Sequence, residues 1–136
     1  MEKKQLSLQE TISHVRDFHD AFLIKNNESP TAELTAPEYE LRHRLMHEEN
    51  EEYLDACRNG DLAEIADALG DQLYILCGTI LRHGLHLKIE EIFIEIQRSN
   101  MSKLDANGKP IFREDGKVMK SDRYFKPDIR SIIEKQ

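Results

Sequence analysis

Cysteine is almost absent from this chain: Cys57 and Cys77 are the two in 136 residues. They form no metal-spaced pair, and each falls within a helical pattern, so both read as buried free thiols of a reducing cytosol. No window approaches the ~20 apolar residues of a membrane span. The opening Met1-Glu2-Lys3-Lys4-Gln5 leads into an amphipathic pattern rather than the apolar run of a signal peptide. Positive charge is also short, with 19 Lys and Arg against 26 Asp and Glu, a net −7. That balance argues against nonspecific binding to nucleic acid or to an anionic membrane. No glycine-rich phosphate loop occurs, so any phosphate binding has to be led by a metal. His14, His43, His47, His83 and His86 show no partner arrangement of a zinc site. Asp105-Ala106-Asn107-Gly108 lacks the acidic spacing and closing Glu of a calcium loop.

What is present suits one soluble helical domain. The chain is 39% hydrophobic and 33% charged, and long enough to bury a core. Ser7-Leu8-Gln9-Glu10 has capping-box spacing, and Leu8, Ile12, Val15, Phe18 or His19, and Phe22 follow at helical intervals. A first helix is predicted over 7–25, broken by Asn26-Asn27-Glu28-Ser29-Pro30, with a polar loop to about Thr35. Thr35-Ala36-Pro37-Glu38 is a second capping box with proline in the first turn, opening a helix that runs to Arg58 and stops at Asn59-Gly60. Asp61-Leu62-Ala63-Glu64 opens the most apolar helix, with Leu62, Ile65, Ala66, Leu69, Leu73, Leu76, Cys77 and Ile80 as its expected buried stripe and Gly84 as its end. A fourth helix covers about 87–99 and presents Ile89, Ile92, Phe93 and Ile96. The predicted fold class is all-α: a four-helix bundle over about 7–99 with a C-terminal extension over 100–136. In that extension the turn pairs Asn107-Gly108 and Asp115-Gly116 predict short β-hairpins or an ordered loop. Tyr124-Phe125-Lys126-Pro127 should then pack back, and Ile129, Ile132 and Ile133 allow one short closing helix.

The second helix carries an anomaly. At about 100° per residue, Leu41, Leu45 and Ala56 share a sector roughly 60° wide, which should face the core. Glu48, Glu49 and Glu52 fall on that same sector. Desolvating several like charges together costs several kcal/mol, so something positive should hold them there. On the third helix Glu64, Asp67 and Asp71 line another sector, continued by Tyr74 and Gly78. If the two helices pack antiparallel, four or five carboxylates converge. Hard oxygen ligands in that number suit Mg²⁺ or Mn²⁺ and fit neither zinc nor copper. Glu51 and Asp55 read as solvated surface.

Glu48-Glu49-Asn50-Glu51-Glu52 has the form E-E-x-x-E, and Glu64-Ile65-Ala66-Asp67 the form E-x-x-D. With Leu73-Tyr74-Ile75-Leu76 and Gly78-Thr79 beyond them, these motifs resemble the all-α nucleoside triphosphate pyrophosphatase superfamily. That group includes MazG, the helical dimeric dUTPases and dCTPases, and phosphoribosyl-ATP pyrophosphohydrolase. The tail, Ser99-Asn100-Met101-Ser102-Lys103 through Asp115-Gly116-Lys117 and Tyr124, resembles a phosphoribosyl-ATP-pyrophosphohydrolase-like branch, and the likeness spans roughly residues 12 to 127. There is one departure. In MazG the second motif's Asp directly precedes the Leu/Tyr segment, which points here to Asp71, yet Ala68 stands where those relatives carry Glu. Either Glu64 and Asp67 form the working pair, or Asp67 replaces the missing Glu beside Asp71.

The resemblance implies cleavage of a nucleoside triphosphate, or a related phosphoribosyl nucleotide, between the α and β phosphates. It implies Mg²⁺ held by Glu49, Glu52 and Asp71 with Asp67 or Glu64, and Glu48 orienting or deprotonating the attacking water. Asn100, Lys103, Lys117 and Lys120 become candidates for the phosphates, and His19 with Phe18 for a base pocket. It also implies a cytoplasmic homodimer or dimer of dimers, since the superfamily builds its sites at such assemblies and a lone unit would expose part of its apolar stripes. The rival reading is a non-catalytic metal- or nucleotide-binding helical module.

Overall fold

The computed structural model describes residues 3–135. They form five helices: α1 (Leu8–Ala21), α2 (Ala36–Arg58), α3 (Leu62–Arg82), α4 (Ile89–Met101) and α5 (Ile129–Glu134). Among the described residues there is no sheet, only one antiparallel bridge between Phe112 and Val118. The fold is all-α, as the periodicity predicts. It divides into two compact units, one through Leu87 and one from Lys88.

In the first unit α2 and α3 pack closely, and α1 lies against α3. The pairs along the α2–α3 seam fix the direction. Glu38 at the start of α2 meets Arg82 at the end of α3, Arg42 reaches Ile75 and Thr79, and Asn50 meets Gln72. The helices are therefore antiparallel, the geometry the two acidic faces need in order to meet.

All three helices of this unit end in the same way. The first amide past each cap bonds back to the helix, and the next closes a six-residue ring: Ile24 N to His19 O, Asp61 N to Ala56 O, and Leu85 N to Ile80 O. The residue between is left-handed, at φ +63° for Gly60 and +64° for Gly84. On α1 that position holds Leu23, at φ +60°. The sequence places the end of α1 four residues too late because no glycine marks it.

The core departs from the expected stripes. Its fully buried apolar residues in this unit are Ile12, Val15, Ala56, Ala68, Cys77 and Leu81, joined by His19, Arg42, Arg82 and His86. On α2 the buried row is Arg42 and Ala56 with half-buried Glu49 between them, while Leu41 is exposed. The row therefore keeps Ala56 and Glu49 of the predicted sector but runs through Arg42 rather than Leu41. On α3, Leu62, Leu69, Leu73 and Leu76 are exposed, contrary to the reading, because α1 and α2 pack on the side bearing Ala68, Cys77, Gly78 and Leu81. Cys57 is exposed and only Cys77 is the buried thiol. The expected Thr35–Glu38 capping box does not form; the Glu38 carboxylate bonds Arg82 instead, at 2.6 Å.

In the second unit, α4 buries Ile92 and Ser99, and the chain returns along it. Ser99 Oγ donates to the Phe125 carbonyl, Asp128 N donates to Glu95, and the Arg98 guanidinium lies over the Phe125 ring. The Phe112–Val118 bridge is a hairpin-like loop in place of full strands, and α5 is the short closing helix.

Candidate active site

Helix α2 presents Arg42, Glu49 and Ala56 at intervals of seven residues, which returns each to nearly the same angular position. Two of the three are buried, which draws Glu49 inward as well. One of its oxygens, Oε2, is fully buried and has no hydrogen-bond partner. A buried carboxylate oxygen left unpaired is costly. Burial is the largest influence on this group. A hydrogen bond with Glu52, then the charges of Glu52, Asp71 and Asp67, act in the same direction and push its carboxyl up to about 7. Four of the predicted acids, two from each helix, are thus close enough to feel one another.

Placement within the set is uneven. Glu49 and Asp71 are half-buried, whereas Glu52 and Asp67 are exposed at the rim. Glu48 and Glu64 are exposed, and the Glu64 amide is taken by the Asp61 side chain as a helix cap. The inward placement expected for Glu48 and Glu52 does not hold, because the buried row runs through Glu49. Among the described residues no three His, Cys, Asp or Glu side chains stand in a ready ligand arrangement. Mutual repulsion spreads such acids, and a bound dication would offset it. The donor chemistry fits that role: every candidate is a hard carboxylate oxygen, and one is buried without a partner.

Toward α1 the surroundings change character. His19 is 2% exposed, and its Nδ1–H donates to Asn26 Oδ1 at 2.6 Å. Burial holds its imidazole below the ordinary value; the Asn26 bond opposes this, and the charges of Arg42 and Arg82 reinforce it. His19 is therefore tied into the core. Its neighbour Phe18 lies at the surface, 4.4 Å from Phe22 and edge-on to Tyr74 at 5.6 Å between ring centroids. Tyr74 stands one helical turn beyond Asp71. Sequence reasoning passed over Arg42, whose Nε donates to Thr79 Oγ1 and whose Nη2 donates to the Ile75 carbonyl. Its signal was the seven-residue spacing to Glu49.

The other predicted contacts belong to the second unit. Asn100 is exposed in the last turn of α4, and half-buried Lys103 follows it. Lys117 is exposed in the turn after Asp115, and the Lys120 ammonium lies 4.6 Å from the centre of the Tyr124 ring.

A family model for phosphoribosyl-ATP pyrophosphohydrolase matches residues 15–100. The chain belongs to that family. The match takes in the second half of α1, all of α2 and α3, and α4 as far as Asn100, so both acidic helices of this family member lie inside it. Membership gives the protein a pyrophosphohydrolase type of function, that of a hydrolase acting on a nucleotide. No curated protein matches the chain. Among the described residues no helix is long and apolar enough to cross a membrane.

Proposed function

We propose that the protein is a Mg²⁺-dependent nucleotide pyrophosphohydrolase that splits a nucleoside triphosphate, or a related phosphoribosyl nucleotide, between its α and β phosphates. The products are the monophosphate and pyrophosphate. The observation that carries this reading is the buried, unpartnered Oε2 of Glu49, set among the charges of Glu52, Asp67 and Asp71. These four would hold the ion, with Glu64 as an outer candidate. When bound, Mg²⁺ or Mn²⁺ neutralises phosphoryl oxygens and lets a polyanion approach an acidic surface.

The chain's own groups supply the remainder. Glu48, exposed beside Glu49, takes the proton of the attacking water as the new P–O bond forms and the bridging P–O bond to pyrophosphate breaks. Phe18 and Tyr74 offer a surface on which a base can stack, one turn from Asp71. The outward-facing Leu62, Leu69, Leu73 and Leu76 on α3 favour cover by a second copy, as a homodimer or dimer of dimers working in the cytoplasm.

The test is pyrophosphate release from a panel of nucleoside triphosphates and phosphoribosyl-ATP with Mg²⁺. Turnover is expected in wild type and should vanish in Glu49→Gln and Asp71→Asn. Near-normal turnover in either variant removes that ligand. Stabilisation by Mg²⁺ without turnover on any substrate would leave a binding module in place of an enzyme.

A further inference from the structure

Four of the six histidines are committed or isolated. His19 bonds Asn26, His86 accepts from Arg16, and His83 Nδ1 donates to the Thr31 carbonyl. His14 has no His or Cys one turn away in either direction. His43 and His47, to which the sequence alone assigns no zinc-site partners, differ once folded. They stand four residues apart on α2, both exposed, with ring planes only 9° from parallel and centroids 6.4 Å apart. Residues at that spacing are neighbours on a helix surface, and two imidazoles so placed can turn their ring nitrogens onto one ion.

Their surroundings supply room and further donors. The pair lines an open surface hollow of about 420 Å³ together with Met46, Asn50, Gln72 and Leu76. Asn50 Oδ1 accepts from Gln72 Nε2 at 3.3 Å, which sets two neutral amides along one wall, and Met46 contributes a thioether. Imidazole nitrogen, amide oxygen and thioether sulfur form a donor set for borderline transition ions, in contrast to the carboxylates one turn further along α2. The Glu of the H-E-x-x-H protease motif is missing, since Arg44 follows His43, so the site is one of binding rather than hydrolysis.

We infer that His43 and His47 form a bidentate site for a borderline divalent cation of the Zn²⁺ or Ni²⁺ type, separate from the carboxylate cluster. Water and the neighbouring amides complete the coordination.

The test titrates the full chain with Zn²⁺ by calorimetry, in excess Mg²⁺ so that the carboxylates are occupied. His43→Gln, His47→Gln and Glu49→Gln are titrated alongside, with helicity checked by circular dichroism. One Zn²⁺ per chain is expected, retained in Glu49→Gln and weakened about tenfold or more in each histidine variant. Trace Ni²⁺ should broaden the His43 and His47 imidazole proton resonances before those of the other four. Absence of Zn²⁺ binding, equal affinity in the histidine variants, or loss confined to Glu49→Gln would each overturn the assignment. None of these outcomes depends on turnover.

Discussion

Gly78 and Arg42 fit together with no room for a methyl group: a Cβ on Gly78 would lie 2.7 Å from Arg42 Nη2 and 2.8 Å from His19 Nε2. The absent side chain lets a buried guanidinium and a buried imidazole cross the same point of α3. Gly78→Ala is therefore expected to destabilise the fold by about 1–3 kcal/mol, the usual range for overpacking, despite alanine's better helix propensity. A lowered urea midpoint with unchanged slope is the expected reading. An unchanged midpoint would mean that Arg42 swings aside freely.

Leu23 and Gly84 occupy the same position of the same helix-ending motif, and substitutions there should have opposite signs. Leu23 is 92% exposed and left-handed, so Leu23→Gly relieves backbone strain while burying nothing less. A gain of about 0.5–1 kcal/mol is expected after the entropy lost by glycine. Gly84→Ala adds a Cβ 2.1 Å from the Ser29 carbonyl oxygen in addition to its positive φ. It should cost about 2 kcal/mol or more. Thermal melts of the two variants beside wild type would check both signs together.

Arg82 has its side chain only 9% exposed, and its Nη2 donates to Glu38 while its Nη1 donates to the Lys25 carbonyl. Removing the carboxylate strands a buried charge, but the Glu38 side chain is 41% exposed and water can partly replace it. Glu38→Ala should cost about 1–2 kcal/mol. Glu38→Gln, which keeps an acceptor, should cost less. Equal losses in the two would assign the effect to the lost charge rather than to packing.

Burial is the main force holding both His19 and His86 below the ordinary histidine value of 6.5. For His86, Arg16 adds to this and Glu28 opposes it. In the unfolded chain both take up protons near that ordinary value, and in the fold only at lower pH. Their contribution is present above about pH 6.5 and is lost as pH falls through it toward the folded values. Glu49 works in the opposite direction across part of the same range, because its raised carboxyl favours the folded state as protons bind. Comparing wild type with His86→Gln separates the two. The variant should lose less stability than wild type between about pH 7 and pH 5. Parallel curves would show that His86 does not titrate differently on folding.

Much of this was legible in the residues. The helix-opening signals at Ser7 and Asp61, and the stops at Gly60 and Gly84, mark real boundaries because each names a residue whose side chain or backbone does the capping. The acids that gather around Glu49 were legible as paired one-turn spacings on consecutive helices. The side of α3 that faces inward was not. Leucines mark a side that avoids water but not which partner covers it, and α1 and α2 instead cover the small residues Ala68 and Gly78. Arg42 shared only the seven-residue spacing with Glu49, and its burial is decided by its carbonyl and hydroxyl partners on another helix. Likewise, Glu38 had two available partners, and only the packed structure decides in favour of Arg82 over the local cap.

The stretch from Lys25 to Thr31 has no regular secondary structure, yet it is laced to the last turn of α3. Asn27 N donates to the Leu81 carbonyl, its side-chain amide donates to the Arg82 carbonyl at 2.5 Å, and Thr31 N donates to the His83 carbonyl. A ribbon held at that many points cannot swing as a flap while α3 stays folded. In hydrogen exchange the amides of Asn27 and Thr31 should thus open together with the end of that helix, on its slow timescale and not on that of a surface loop.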